Sequence, residues 1–310
     1  MELIRGTHAV RPYAGGCVVT IGAYDGLHLG HQALIGRTAA QAARLALPAV
    51  LLTFEPMPRE YFAPADPPAR LTTLRERWRI LAPSRLNYTW LLRFGEGLRN
   101  LSAEDFAEFL ARDVRARQVV VGHDFCFGKG GAASASMLAA TGERLGFAVE
   151  VLPAVMQGLE RISSSGVRAA LARADFAAAQ RLLGRPYSMR GRVIPGTRLG
   201  RQLGFPTANL PLERRRAPLA GIFAVRVHGA GAGAGASGLA GVASLGTRPT
   251  IGGTEALLEA HVFDFSADLY GREIEVEFAA KIRDEECFAT LEALTAQMHR
   301  DAEAARRILQ

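Results

Sequence analysis

Two histidines, His28 and His31, follow a glycine-rich turn in the pattern His-x-Gly-His and could contact the phosphates of a nucleotide. Imidazole and backbone N–H groups can hold the negative charge that grows on phosphate oxygens during group transfer. A pair of this kind could also bind a metal ion, or be ordinary packed or surface residues. The position of the pair, directly after an apolar run and the turn, favours a phosphate site.

The elements that must position these histidines are a buried strand and a helix. The apolar run at residues 17–21 predicts the strand, and apolar residues at helical spacing after the turn predict the helix. Unpaired N–H groups and the helix dipole attract anions at such a junction, where open α/β sheets also bind ligands. We therefore expect the nucleotide to contact turn residues of this junction, namely Gly22, Asp25, Gly26 and Gly30.

Two further stretches of the first half carry polar groups suited to ligand binding. Residues 121–131 (VGHDFCFGKGG) end a predicted strand with Asp124 and Phe125, as the site of a base or a flavin ring would. Residues 161–168 (RISSSGVR) place hydroxyls and arginines at a helix start, a second anion-binding arrangement. A plain turn and a capped helix are the respective alternatives.

The second half contains the sequence GRQLGFPTANL at residues 200–210. Its glycines, Gly200 and Gly204, predict a loop that can approach phosphates. The hydroxyl of Thr207 and the amide oxygen of Asn209 are hard oxygen donors of the kind that Mg²⁺ prefers. This stretch therefore predicts a magnesium nucleotide site.

Composition and charge narrow the class of protein. The 310 residues suffice for two domains, and 49% hydrophobic with 22% charged residues is typical of a globular protein. The net charge is +7, but the arginines are spread through both halves without a nucleic-acid-binding motif, so we expect no nucleic-acid partner. Short apolar runs, no leader pattern and three cysteines without paired spacing predict a cytoplasmic protein with no membrane partner, whose cysteines are packing residues.

Hydrophobic patterning divides the chain near residue 184. Before it, strand-like runs alternate with helical patterns, which predicts a parallel sheet of an α/β fold with strands at 17–22, 49–54, 89–94, 119–122 and 147–152. Capping patterns predict helices starting near Leu74 and Ala103, a helix at 166–171 capped by Ser165, and a last helix at 175–183.

After residue 184, short runs separated by turns predict a small antiparallel β-barrel. Its predicted strands lie at 190–194, 221–227, 239–245, 257–265 and 274–282. The glycine-alanine stretch at 229–236 predicts a flexible loop, and the apolar spacing from Phe288 to Leu309 predicts a terminal amphipathic helix packed against the barrel.

Taken together, these motifs resemble the bacterial bifunctional riboflavin kinase/FMN adenylyltransferase family, also called FAD synthetases, over nearly the whole chain. The matching segments follow in family order at residues 22–31, 53–56, 70–76, 121–128, 162–168, 200–210, 246–250 and 258–265. The resemblance implies a Rossmann-like nucleotidylyltransferase domain at 1–184 and a riboflavin kinase barrel at 185–310. ATP is the implied co-substrate, riboflavin and FMN are the implied substrates, FMN and FAD the products, and Mg²⁺ the cofactor.

The resemblance also implies roles for individual residues. In the first domain, His28 and His31 would contact ATP phosphates and Asp124 would lie at the nucleotide and FMN site. The flexible phosphate loop of that domain would consist of Ser163, Ser164, Ser165 and Arg168. In the second domain, Thr207 and Asn209 would hold the metal and the phosphates. There Glu259 would take the proton of the riboflavin 5′-hydroxyl and Arg283 would border the flavin.

Other functions stay open from the sequence. Met57 and Gly166 depart from the family pattern, so a riboflavin kinase whose first domain has lost or narrowed its adenylyltransferase activity is one alternative. A flavin- or nucleotide-binding regulator, which would not consume ATP, and an RNA-binding protein, whose affinity would fall steeply with salt, are others. We expect a monomer or a weak homo-oligomer.

Overall fold

The structure is a computed structural model, and residues 1–7, 11–196, 199–231, 237–250 and 253–310 are described. Two compact units are present. The N-terminal unit comprises Met1–Pro68 and Arg77–Ser163, and the C-terminal unit comprises Ala69–Glu76 and Ser164–Gln310. Most of the predicted glycine-alanine loop, at residues 232–236, lies outside the described residues.

The chain up to residue 163 alternates strands and helices. Its strands are β1 (Glu2–Arg5), β2 (Cys17–Ile21), β3 (Ala49–Glu55), β4 (Tyr88–Arg93), β5 (Ala116–Gly122), β6 (Cys126–Phe127), β7 (Ala133–Ser134), β8 (Ala148–Leu152), β9 (Met156–Gln157) and β10 (Glu160–Arg161). Its helices are α1 (Leu29–Leu45), α2 (Pro58–Phe62), α3 (Leu74–Leu81), α4 (Glu96–Arg99), α5 (Ala103–Arg112) and α6 (Ala135–Leu145). A 3₁₀ turn occupies Lys129–Gly131.

The main sheet of the N-terminal unit is parallel, as predicted, with the strand order β1-β4-β3-β2-β5-β8. The chain extends the sheet in one direction from β2 and then in the other from β5. This reversal creates a switch point, and ligands of such sheets bind beyond the carboxyl ends of the strands there. The turn after β2 and the loop after β5 therefore lie at the expected ligand-binding edge.

Both faces of this sheet are buried, which explains why its central strands are apolar runs rather than alternating patterns. On one face, Val18 and Leu51 pack with Ile35 of α1. On the other face, Val19 packs with Leu110 of α5. The helices thus fix the sheet, and with it the positions of the strand ends.

Most of the predicted helix boundaries agree with the structure. Helices α3 and α5 begin at the predicted residues, and each has the predicted capping box. Asp175 caps the helix that was predicted at residues 175–183. The prediction that Ser165 is a cap is wrong, because the helix already begins at Ser164 and Ser165 lies inside its first turn.

From residue 164 onward two helices precede the barrel. They are α7 (Ser164–Ala172) and α8 (Phe176–Leu183). The remaining elements are β11 (Ser188–Arg192), α9 (Leu199–Gln202), β12 (Ala208–Pro211), β13 (Gly221–His228), β14 (Leu239–Thr250), β15 (Gly253–Val262), β16 (Glu273–Arg283) and α10 (Leu291–Leu309). Phe176 of α8 packs its ring against Phe278 and Phe223 of the barrel, so the compact unit starts ahead of the predicted boundary at residue 184. That boundary stays a prediction.

The six-stranded sheet of the C-terminal unit is antiparallel, with the order β11-β16-β13-β14-β15-β12. The N–H of Ile194 donates to the carbonyl of Asn209 at 2.9 Å and brings the two ends of the sheet together. The predicted small barrel is therefore present and nearly closed. Its terminal helix α10 packs on it through Ala305 and Leu309, whereas Leu291, predicted to lie on the apolar face, is 53% exposed.

Two further findings concern membrane-spanning helices and the burial of the cysteines. None of the helices in the described ranges is long and apolar enough to cross a membrane. Cys17 is buried, as expected of a packing residue, but Cys126 and Cys287 are exposed, so the predicted packing role is wrong for these two.

Candidate active sites

The first candidate site is the turn between β2 and α1. His28 is the N-cap of α1, and its Nδ1 accepts a hydrogen bond from the backbone N–H of His31 at 3.3 Å. The two imidazole rings stack, with centroids 3.7 Å apart and an interplanar angle of 16°. Because Nδ1 of His28 is an acceptor, the proton of the neutral ring lies on Nε2. Nε2 is therefore the donor nitrogen of the neutral His28 ring.

The glycines of this turn are required for local reasons. Gly26 has φ +81°, and a Cβ on Gly30 would come within 3.1 Å of the His28 ring. Gly22 packs closely against the ring of Tyr24. Tyr24 has φ 52° and is 1% exposed, so core packing helps to hold this non-glycine residue in the left-handed region.

Burial and positive charge keep His31 neutral. The pKa of His31 is lowered well below its ordinary value of 6.5, first by burial and then by the charges of His28 and Arg77. Its Nδ1 is enclosed and makes no hydrogen bond within the described part of the chain. The His31 imidazole is therefore neutral near pH 7.

Arg77, which the sequence did not single out, contacts the backbone of the turn after β2. Its side chain is 2% exposed, and its guanidinium donates to the carbonyl of Ala23 at 2.8 Å and to Thr53 Oγ1 at 3.2 Å. A further bond of 2.7 Å joins it to Glu55 Oε2. A charged residue on a helix is usually exposed, so no local signal marks it as buried.

The loop after β5 is at the same switch point as the turn after β2. Asp124 forms an ion pair with Arg161, and Phe125 stacks on Phe127 with centroids 5.7 Å apart. Burial raises the pKa of Asp124, but the hydrogen bond and the charge of Arg161 outweigh it, so the pKa lies below its usual value. The carboxylate is therefore charged near neutral pH. Asp25, in the turn after β2, is 3% exposed.

The predicted serine loop is divided between the two units. Ser163 ends the N-terminal unit, whereas Ser164, Ser165 and Arg168 belong to α7 of the C-terminal unit. There the Nε of Arg168 donates to the carbonyl of Ala69 at 2.6 Å.

The second candidate site is a cleft of about 1070 Å³, counting its open mouth, between the barrel strands and α10. Cross-strand pairing places five residues in one row from β12 to β16. In order across the sheet, these residues are Asn209, Glu259, Ser244, Ile222 and Arg283. All of them line the cleft. Directly paired residues point to the same face of a sheet, so the row forms a continuous floor.

The predicted metal donors lie at one end of this floor. Asn209 is 5% exposed, its Nδ2 donates to the carbonyl of Thr207 at 3.3 Å, and its Oδ1 accepts no hydrogen bond from described residues. Gly200 has no room for a side chain, because a Cβ there would lie 2.4 Å from the carbonyl oxygen of Phe205. Gly204, with φ +84°, forms the turn between them.

Arg283 closes the opposite end of the floor. Its guanidinium makes three hydrogen bonds of 2.7–3.1 Å with Asp301 of α10, and these bonds raise its pKa. The ring of Phe288 lies 5.6 Å from its Cζ. Arg283 thus joins α10 to the sheet and borders the cleft with its charge neutralised. The buried Asp301 had no distinct signal in the sequence.

Chemically, the cleft combines a carboxylate, a hydroxyl and an amide oxygen along one apolar-walled groove. Such a set can bind a planar ring, remove a proton from an alcohol and hold a phosphate-bound cation. His261, not predicted as a site residue, also lines the cleft.

Comparisons with known proteins give a separate family match for each half of the chain. A family model described as FAD synthetase matches residues 10–166, and one described as riboflavin kinase matches residues 183–309. A bifunctional riboflavin kinase/FMN adenylyltransferase of Escherichia coli (strain K12) is 43% identical over 99% of this chain and 97% of its own length. The corresponding protein of Pseudomonas fluorescens is 43% identical, with 99% and 98% covered. A structure titled macrolide-efflux protein, from Streptococcus pneumoniae, has a TM-score of 0.76 at 31% identity, covering 95% of each chain.

Proposed function

The chain belongs to the bifunctional riboflavin kinase/FMN adenylyltransferase family, and on that premise we propose which residues carry each reaction. The flavokinase half is C-terminal and makes FMN from riboflavin and ATP. The FAD synthetase half is N-terminal and makes FAD and pyrophosphate from FMN and a second ATP. The two candidate sites are assigned to these two reactions.

In the kinase site, Glu259 orients the 5′-hydroxyl of riboflavin and accepts its proton while the γ-phosphoryl is transferred. General bases of this kind contribute about 10²- to 10⁴-fold to a rate. The observation that carries the assignment is the cross-strand row, because it puts Glu259 beside Asn209 on the floor of the cleft. Arg283 and α10 border the flavin ring at the other end.

We assign Mg²⁺ to Thr207 and Asn209. The residues fit a hard cation, because the Oδ1 of Asn209 is enclosed without a hydrogen-bond partner among described residues. When bound, the ion neutralises charge on the phosphate oxygens of ATP. Gly200 and Gly204 let the loop backbone approach those phosphates.

In the adenylyltransferase site, the FMN phosphate is itself the nucleophile and attacks the α-phosphorus of ATP, so a covalent enzyme intermediate is not required. The chain contributes alignment and charge stabilisation. His28 donates from Nε2 to the phosphates, neutral His31 supports it, and the turn with Gly22, Asp25, Gly26 and Gly30 binds the nucleotide.

The other predicted residues complete that site by resemblance. Asp124 and Phe125 are assigned to the nucleotide and the flavin of FMN. The phosphate-loop residues carried over from the family are Ser163, Ser164, Ser165 and Arg168. The substrates are small molecules, and we place the enzyme in the cytoplasm as a monomer or weak homo-oligomer without nucleic-acid or membrane partners.

A time course tests the whole assignment. The purified protein is incubated with riboflavin, excess ATP and Mg²⁺, and the flavins are separated by chromatography. We expect FMN to appear first and then to convert to FAD. FMN that accumulates without FAD would contradict the assignment of the N-terminal site, and unchanged riboflavin would contradict both.

A further inference from the structure

His261 connects two parts of the kinase cleft that carry proposed functional residues. It follows Glu259 by two positions on β15 and therefore points to the same face of the sheet. Its Nδ1 lies 2.8 Å from the carbonyl oxygen of Pro206, the residue directly before Thr207. The imidazole also contacts the ring of Phe205 edge-on, with centroids 5.1 Å apart.

The loop that leads into β12 is fixed on both sides of this contact. The N–H of Phe205 donates to the carbonyl of Gly200 at 2.7 Å, and the ladder with β15 begins at Ala208. Pro206 has no backbone N–H, so its carbonyl is the backbone group through which hydrogen bonding can hold it. The bond from His261 therefore fixes the carbonyl that directly precedes Thr207.

The chemistry of this bond identifies the nitrogen that acts. A carbonyl oxygen can only accept, so the proton lies on Nδ1 of His261. We propose that His261 is a positioning residue of the riboflavin kinase, whose Nδ1–H holds the Pro206 carbonyl and thereby orients Thr207 toward MgATP. The proposal rests on the proposed role of Thr207.

Substitutions separate this role from a contact made by Nε2. Asparagine carries its amide nitrogen where the histidine has Nδ1, whereas glutamine can place its own nearer Nε2. We expect His261→Ala to raise the KM for MgATP by about three- to tenfold, the range of one lost hydrogen bond. The KM for riboflavin and kcat should change less. His261→Asn should restore most of the MgATP affinity, and His261→Gln should not.

His299 offers a matched control. Its ring also contacts Phe205 edge-on, with centroids 4.8 Å apart, but it makes no hydrogen bond to described residues of the loop. We expect His299→Ala to leave the KM for MgATP unchanged. Circular dichroism spectra and urea unfolding, measured in the same preparations, report whether each variant is folded.

The outcomes distinguish the proposal from its premise. A restored KM in His261→Gln but not in His261→Asn would overturn the proposal, as would equal KM values for MgATP in all three His261 variants. A loss confined to kcat would indicate a smaller active fraction and would also overturn it. If Thr207→Ala leaves the KM for MgATP unchanged, the role of Thr207 fails first, and the proposal with it.

Discussion

Asn209 on β12 and Glu259 on β15 are direct cross-strand partners in the barrel sheet. Paired residues of an antiparallel ladder have Cβ atoms about 5 Å apart. The amide assigned to the cation and the carboxylate assigned to the riboflavin hydroxyl are thus held together by backbone pairing. Their arrangement depends on strand register rather than on a flexible loop.

Glu259 is the proposed base of the kinase reaction. Glu259→Gln keeps the shape of the side chain but removes the base, so FMN formation should fall by about 10²- to 10⁴-fold. FAD formation from added FMN should be unchanged. Glu277→Gln on β16, outside the cleft lining, is the matched control and should retain both activities. Full kinase activity in Glu259→Gln would contradict its role as the base.

Asn209→Ala tests the assignment of the cation. Because this substitution removes an enclosed oxygen donor, the Mg²⁺ concentration for half-maximal kinase rate should rise by about tenfold, or ~1.4 kcal/mol. The measurement is a Mg²⁺ titration of FMN formation at fixed ATP. Asn100→Ala, at the exposed end of α4, should leave the titration unchanged. Identical titrations for wild type and Asn209→Ala would refute the assignment.

His28→Asn separates helix capping from phosphate contact. Asparagine is a favourable N-cap, so α1 should remain intact while the Nε2 donor is lost. We expect FAD formation to fall by about 10²-fold or more and FMN formation to persist. Retention of FAD formation would show that His28 acts only as a cap.

The lowered pKa of His31 makes stability depend on pH. The pKa of His31 in the folded protein lies below 6.5. As the pH falls below 6.5, His31 therefore binds a proton in the unfolded chain but not in the folded one. Stability should therefore decrease below pH 6.5, with a slope from this residue of up to about 1.4 kcal/mol per pH unit. Urea unfolding of wild type and His31→Gln between pH 7.5 and 5.5 measures the difference. Parallel pH profiles would rule this linkage out.

A buried ion pair lies in the C-terminal unit. Arg214 pairs with Glu76, with side chains 0% and 8% exposed, and also donates to the hydroxyl of Tyr187 at 3.0 Å. Arg214→Met leaves the Glu76 charge buried, so the free energy of unfolding should fall by about 3–5 kcal/mol. The exposed Arg192→Ala, in the same unit, should cost less than about 1 kcal/mol. Chemical unfolding that gives equal values for the two variants would contradict this account.

Sequence patterns predicted the elements whose signals are local. Buried parallel strands form apolar runs, and caps depend on residues three apart, so the sheet, the barrel and α3 and α5 were predictable. Of the strands in the two six-stranded sheets, β1 and β12 were missed. Strand β1 lacks an apolar run, since only Ile4 of its residues is buried. Strand β12 lies in a stretch that was interpreted as a loop, and its pairing partner β15 is far along the chain, so no local pattern indicated it.

Within the sites, the missed residues act through contacts that are distant in sequence. Arg77 is buried because Glu55, Thr53 and the Ala23 carbonyl surround its guanidinium, which no helical pattern reveals. His261 and Asp301 likewise take their positions from the loop and strand they contact. Motifs thus identified candidate ligand contacts, while the residues that hold those contacts in place needed the fold.

The most direct test of two independent sites uses the single variants Glu259→Gln and His28→Asn, alone and mixed, with riboflavin, ATP and Mg²⁺. We expect Glu259→Gln alone to leave riboflavin unchanged and His28→Asn alone to stop at FMN. The mixture should form FAD, because FMN released by one variant is adenylylated by the other. A mixture that forms no FAD, or a Glu259→Gln variant that is folded but makes no FAD from added FMN, would contradict the assignment of one reaction to each candidate site.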